Sequence, residues 1–144
     1  MKFAFPQKIL FKHCDPAGIV FYPRYFEMLN DVVEAFFDEI GFAFEDIHHD
    51  GRMPTVQMDA TFTSPSVHGD HMVIDMEITK LGTSSIGLDF HAHCDGDTRF
   101  TANSTLVYIN PSNKPQPNTL PCSSIWKAAP PSASLWCLAN SLTS

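Results

Sequence analysis

Apolar side chains recur along this chain with two different periods. Over residues 2 to 12, Phe3, Phe5, Ile9 and Phe11 alternate with Lys2, Lys8 and Lys12, the period of a strand with one buried face. Pro6 has no N–H to give to a sheet ladder, so it predicts an edge or a bend. From residue 23 the period lengthens. Phe26, Leu29, Val33, Phe36, Phe37 and Ile40 recur at spacings of three and four, with Arg24, Glu27, Asp31, Glu34 and Asp38 around the rest of the wheel. Pro23 suits a first helical turn and Gly41 a stop, which predicts one long helix over about 23–40. A short stretch of helical character, "FEDIHHDG", follows, and then alternation returns four times. The apolar sets are Val56, Met58, Ala60 and Phe62; Met72, Ile74, Met76 and Ile78; Ile86, Leu88, Phe90 and Ala92; and Phe100, Ala102, Leu106 and Tyr108. "HGD", "LGTSS" and "DGD" between them are turn chemistries for antiparallel neighbours.

One strand, one apolar-faced helix and four more strands predict an α+β domain. Its antiparallel sheet of about five strands would wrap around one long central helix, leaving a polar face for solvent or a partner subunit. Residues 119–144 break the pattern. They hold both tryptophans, a Ser/Ala/Pro bias and a single charge, Lys127, and are expected to be an irregular or disordered tail on a domain spanning 1–118. A plug built on Leu135, Trp136 and Leu138, or a frame change in the coding sequence near Thr119, are the other readings of that abrupt shift.

At 44% hydrophobic and 17% charged residues the body of the chain is globular. A formal charge of −7 opposes nonspecific attraction to nucleic acid or an anionic membrane, so neither is expected as a partner. No apolar run reaches the roughly 20 residues that cross a bilayer, and the first residues lack a signal-peptide pattern, which points to the cytoplasm. Cys14, Cys94, Cys122 and Cys137 form no C-x-x-C pair, so reduced thiols are expected and neither a zinc knuckle nor a disulfide framework.

The stretch "HCDPAGIVFYPRY", residues 13–25, places an acid in a loop just before the long helix. The first N–H groups of a helix are unpaired and favour an oxygen that gains negative charge. A carboxylate facing such donors suits a nucleophile or general base beside an oxyanion hole. Gly18 would let backbone and substrate approach closely. Equally, Asp15 could simply cap the turn made with Pro16 and Gly18.

"CDPAGIVFYPRY" resembles the signature of the 4-hydroxybenzoyl-CoA thioesterase family, which has the hotdog fold. Asp15, Pro16, Ala17, Gly18, Ile19 and Val20 are contiguous, and Tyr22, Pro23 and Tyr25 follow at the family spacing. The resemblance extends in element order over about residues 3–117. It implies that Asp15 is the catalytic carboxylate and that the Tyr22 backbone N–H polarises the thioester carbonyl. Gly18, Ile19, Val20, Pro23, Tyr25 and Asn30 would shape the substrate site. It also implies an acyl-CoA ligand, no metal or cofactor, and a homo-oligomer, either a dimer or a dimer of dimers forming a homotetramer, with the site shared between subunits. Two positions depart from the family. Asn30, with Asp31 beside it, stands where 4-hydroxybenzoyl-type enzymes offer a carboxylate to the substrate phenol, and Lys80 is the one base near the turn where relatives carry arginines for CoA phosphates.

Other chemistries fit less well. His13 and Cys14 are adjacent on an extended segment, so their side chains point apart. His91 and His93, with His68 or His71, could hold a metal, but no matching ligand spacing occurs elsewhere and a solvated or interface pair is the expectation. Met58, Met72 and Met76 read as core, with an acyl-pocket lining as the alternative. No G-x-S-x-G elbow or glycine-rich phosphate loop is present. A noncatalytic acyl-CoA or acyl-carrier binding protein on the same shell is the rival from another class, and a dehydratase using His13 a further one.

Overall fold

A computed structural model of the chain describes residues 2–112 and 114–115. The strands are β1 (Phe3–Lys8), β2 (Thr55–Phe62), β3 (His71–Leu81), β4 (Ser85–Cys94) and β5 (Asp97–Val107). The helices are α1 (Pro23–Glu39) and α2 (Phe44–Asp50). The five strands form one antiparallel sheet in the order β1-β3-β4-β5-β2, the hotdog arrangement expected from the sequence. Pro6 therefore lies on an edge strand, as its missing donor requires. The 119–144 tail lies outside the described residues.

Strand alternation decides which face of the sheet meets α1. Ile74, Met76 and Ile78 of β3, Ile86, Leu88 and Phe90 of β4, and Phe100 and Leu106 of β5 are all buried. They form one core with Met28, Leu29, Val32, Val33, Phe36 and Phe37 of α1. Each such side chain contributes about 1.5–3 kcal/mol on burial, which holds the helix across the sheet. Asp95 and Gly96 turn β4 into β5 with φ of 51° and 80°; a two-residue hairpin turn with positive φ at both positions matches the right-handed strand twist.

Two expectations change. The first strand ends at Lys8 and not at residue 12. Ile9 is fully buried, its N–H donating to Asp70 O, and residues 11–13 then coil into a 3₁₀ turn that leaves Phe11 81% exposed. Val56 leaves the apolar face. The β2–β5 register shifts between Thr55 and Gln57, a bulge that carries Val56 outward to 59% exposure.

Candidate active site

Asp15 sits in a small hairpin that immediately precedes α1. Cys14 pairs with Val20, Asp15 N–H donates to Ile19 O at 2.9 Å, and Phe21 N–H donates to His13 O at 2.9 Å. Gly18 N–H closes the tip on Asp15 O at 2.9 Å. Gly18 adopts φ +83°, and a Cβ built there would meet nothing within 4 Å. The glycine is thus needed for its left-handed backbone, and no protein atom crowds it.

The Asp15 carboxylate does cap this turn, since Oδ1 accepts the Ala17 N–H at 2.9 Å. Among the described residues no donor engages Oδ2. One oxygen is therefore fixed and the other free, which orients the carboxylate without consuming it. α1 then opens at Pro23 with Tyr22 as its cap residue, and no acceptor among the described residues takes the Tyr22 N–H. Pro23 brings no N–H of its own, and the Arg24 and Tyr25 N–H groups donate to Phe21 O and Tyr22 O at 2.9 and 3.1 Å, so among the described residues the Tyr22 N–H is the donor left for an incoming oxygen at the helix start.

The hairpin is fastened to residues 65–70. Val20 N–H donates to Ser66 O at 2.9 Å, and Ile19 bridges Val67. Arg99 of β5 holds that segment in turn, its guanidinium donating to Pro65 O at 2.6 Å and to Asp70 Oδ2 at 2.9 Å. Tyr25 is 5% exposed, its ring 4.6 Å from Phe100 and stacked on Phe62 at 5.6 Å. Burial pushes the Tyr25 phenol up, against hydrogen bonds with Ser66 that act the other way, so it stays neutral. Tyr25 is thus a wall of the site and not a titrating group.

Two openings adjoin α1. A groove of about 460 Å³ is lined by Ile19, Val20, Tyr22, Tyr25, Phe62 and Pro65, next to the Asp15 loop. A narrower cavity of about 250 Å³ lies further along the helix, between Phe26, Asn30 and Val33 on one side and Met58, Phe90 and Ser104 on the other. Tyr22, Phe26 and Asn30 are four residues apart and share one stripe, so the two openings follow each other along it. Asn30 stands eight residues beyond Tyr22, about 12 Å by helical rise. Met72 and Met76 are 1% exposed and belong to the core, while Met58 lines the cavity.

Ser66, Arg99 and Ser104 were not singled out from the sequence. Ser104 left a signal there: it interrupts the apolar alternation Phe100, Ala102, Leu106. It is 3% exposed, and its hydroxyl has no hydrogen-bond partner among the described residues. Ser66 and Arg99 had no such signal, because their role depends on a contact between residues 33 apart in sequence.

His13 does not serve Cys14. Its Nδ1 accepts the Leu10 N–H at 2.9 Å, whereas Cys14 Sγ points to Leu10 O at 3.8 Å. Burial, reinforced by the Lys12 and Arg24 charges, holds the His13 pKa below its usual value and keeps the ring a neutral acceptor.

The model of the thioesterase-like superfamily matches residues 9–135. A 1,4-dihydroxy-2-naphthoyl-CoA hydrolase of Prochlorococcus marinus (strain NATL2A) is 28% identical over 72% of this chain and 72% of its own. A gentisyl-coenzyme A thioesterase superposes with a TM-score of 0.77 at 27% identity, covering 85% of this chain and 98% of that one. A 4-hydroxybenzoyl-CoA thioesterase variant complexed with 4-hydroxybenzoyl-CoA gives 0.76 at 22% identity, over 89% and 99%. With a family model spanning most of its length and the fold that such enzymes share, the chain belongs to the thioesterase-like superfamily.

Proposed function

We propose that this protein hydrolyses the thioester of an aromatic acyl-CoA, with Asp15 as nucleophile or general base and the Tyr22 N–H as oxyanion donor. The observation that carries the reading is the Asp15 carboxylate, fixed at Oδ1 by Ala17 and, among the described residues, free at Oδ2, in a hairpin leading directly to the unengaged Tyr22 N–H at the start of α1. Asp15 either attacks the thioester carbonyl directly, expelling CoA thiolate to give a mixed anhydride that water opens to the free acid, or draws a proton from a water whose attack gives a tetrahedral intermediate that expels CoA thiolate. The Tyr22 N–H and the helix end then stabilise the tetrahedral oxygen. Gly18, Ile19, Val20 and Pro23 hold this geometry, and Tyr25 walls it.

The acyl group would run from the groove into the cavity beside Asn30 and Ser104. Relatives named for hydroxylated aromatic acyl-CoAs, gentisyl and dihydroxynaphthoyl, agree with a mostly apolar cavity whose polar lining is the Asn30 amide and the Thr55 and Ser104 hydroxyls. Exposed Ile19, Phe21, Tyr22, Val56 and Phe62 surround the site and the free edge of β2, and support a homo-oligomer in which a second copy covers them. Lys80, exposed at the end of β3, is the base nearest the turn assigned to CoA phosphates. Cys14 and Cys94 are free thiols and no described helix is long and apolar enough to cross a membrane, in keeping with a cytoplasmic location.

The test is release of CoA thiol from hydroxylated aromatic, plain aromatic and aliphatic acyl-CoAs, with wild type beside Asp15→Asn. Wild type should prefer the hydroxylated aromatic class, and the variant should lose about 10²–10⁴ in kcat with an unchanged melting temperature. Full activity in the variant removes Asp15 from the mechanism. Binding without thiol release by either protein makes it a noncatalytic acyl-CoA carrier.

A further inference from the structure

The face of the sheet turned away from α1 carries a cluster that thioester chemistry does not use. Asp75 of β3 is the direct cross-strand partner of His91 on β4, and His93 lies two residues along the same face. His93 Nε2 is 2.9 Å from Asp75 Oδ2, and the two imidazole rings are 5.3 Å apart. His68 and His71, the partners considered from sequence, are not in this group; the His68 ring packs on Phe11 instead.

The geometry points to a site for a divalent transition ion of the zinc class, held by Asp75, His91 and His93. One donor atom from each residue lies within 4.8 Å of the other two. Tetrahedral zinc with ligands at about 2.0–2.2 Å sets donor atoms about 3.3 Å apart. Small side-chain rotations close that gap, and all three residues are only half-buried, so such rotations disturb no core packing. Two imidazoles and one carboxylate leave a fourth position for water, and this donor set favours zinc-like ions over magnesium or calcium. Thr98 Oγ1, 2.9 Å from His91 Nε2, holds that ring in place. The surroundings favour a cation: Asp59, Asp75, Glu77 and Asp89 line a hollow of about 370 Å³ on this face, against the single base Lys2. The carboxylate Asp75 is the ligand that a search of histidine spacing overlooks, because it comes from the neighbouring strand.

Metal-free protein titrated with zinc chloride by calorimetry should bind one ion per chain through this cluster. Cobalt(II) should give the visible absorption of a four-coordinate ion. His91→Gln and His93→Gln should each weaken zinc by at least about tenfold, as should Asp75→Asn, while His68→Gln and His71→Gln leave it unchanged. Metal-free circular dichroism of each variant checks that the sheet is intact, and zinc should raise the melting temperature of wild type but not of His93→Gln. Affinity that survives His91→Gln and His93→Gln, or that disappears with His68→Gln or His71→Gln, overturns the assignment, as does wild type that takes up no zinc.

Discussion

The two halves of α1 obey the same helical period and end in different environments. Its carboxy-terminal half is closed by the chain itself: Val32, Phe36 and Phe37 are at most 3% exposed, with Phe3 of β1 5.6 Å from Phe36 and Phe44 of α2 5.6 Å from Phe37. The amino-terminal half is left open. Tyr22 is 58% exposed, Asn30 is exposed, and the groove and cavity run beside them. Close packing is what a helix on a sheet achieves by default, so the end where it is unfinished is the end to which the proposed function assigns the ligand. β1 and α2 are spent on one end, while at the other the covering strand, β2, is bulged and exposed.

Removing one phenylalanine from each end tests that contrast most strongly. Phe37→Ala empties a fully packed position and should cost about 3–5 kcal/mol in urea unfolding, with KM unchanged in the molecules that remain folded. Phe62→Ala removes a ring that is 44% exposed but meets Tyr22, Tyr25 and Phe26. It should cost only about 1–2 kcal/mol and raise KM severalfold. Equal losses of stability with equal KM would show that both ends are merely core.

The same contrast decides what could be read from sequence. Closed packing is periodic, and so the helix, all five strands and the edge position of Pro6 were legible. The turn "CDGD" was legible too, because only certain residues accept positive φ. The open end is built from exceptions to period. The bulge at Val56 is set by pairing with the distant β5 and the 3₁₀ turn at residues 11–13 by local bonds among Leu10, Phe11, His13 and Cys14, neither of which shows in a period of two, so alternation alone assigned Val56 and Phe11 to the wrong side. Asp15 and Tyr22 emerged through motif resemblance, since spacing alone left a capping aspartate as the competing account, and the Ala17 hydrogen bond makes it a cap as well. Arg99 and Ser66 stayed invisible because what they support is distant in sequence.

A subtler test uses the orphaned hydroxyl at the open end. Ser104 is buried without a partner among the described residues, a state that costs stability unless another group completes it. Ser104→Ala should therefore be neutral or stabilising by up to about 1 kcal/mol. The same change should lower kcat/KM about threefold to tenfold for an acyl-CoA with ring hydroxyls and leave benzoyl-CoA unaffected. A destabilised variant with equal losses on both substrates would mean that the hydroxyl serves the fold and the cavity does not read the acyl group.

The smallest effect expected is one of pH, and it too belongs to the open end. His13 anchors the start of the Asp15 hairpin as a neutral acceptor, with its pKa lowered chiefly by burial. Below the ordinary value of 6.5 the unfolded chain takes up a proton that the folded chain resists. Stability is thus fully present above pH 6.5 and declines as pH falls from there toward the lowered folded pKa. His13→Asn keeps an acceptor facing the Leu10 N–H but cannot titrate, so its urea midpoint should fall less than that of wild type between pH 6.5 and 5. Parallel profiles would place the acid sensitivity elsewhere. A difference between them would tie it to the hairpin that carries Asp15, because His13 is the one residue changed and its Nδ1 anchors the start of that hairpin.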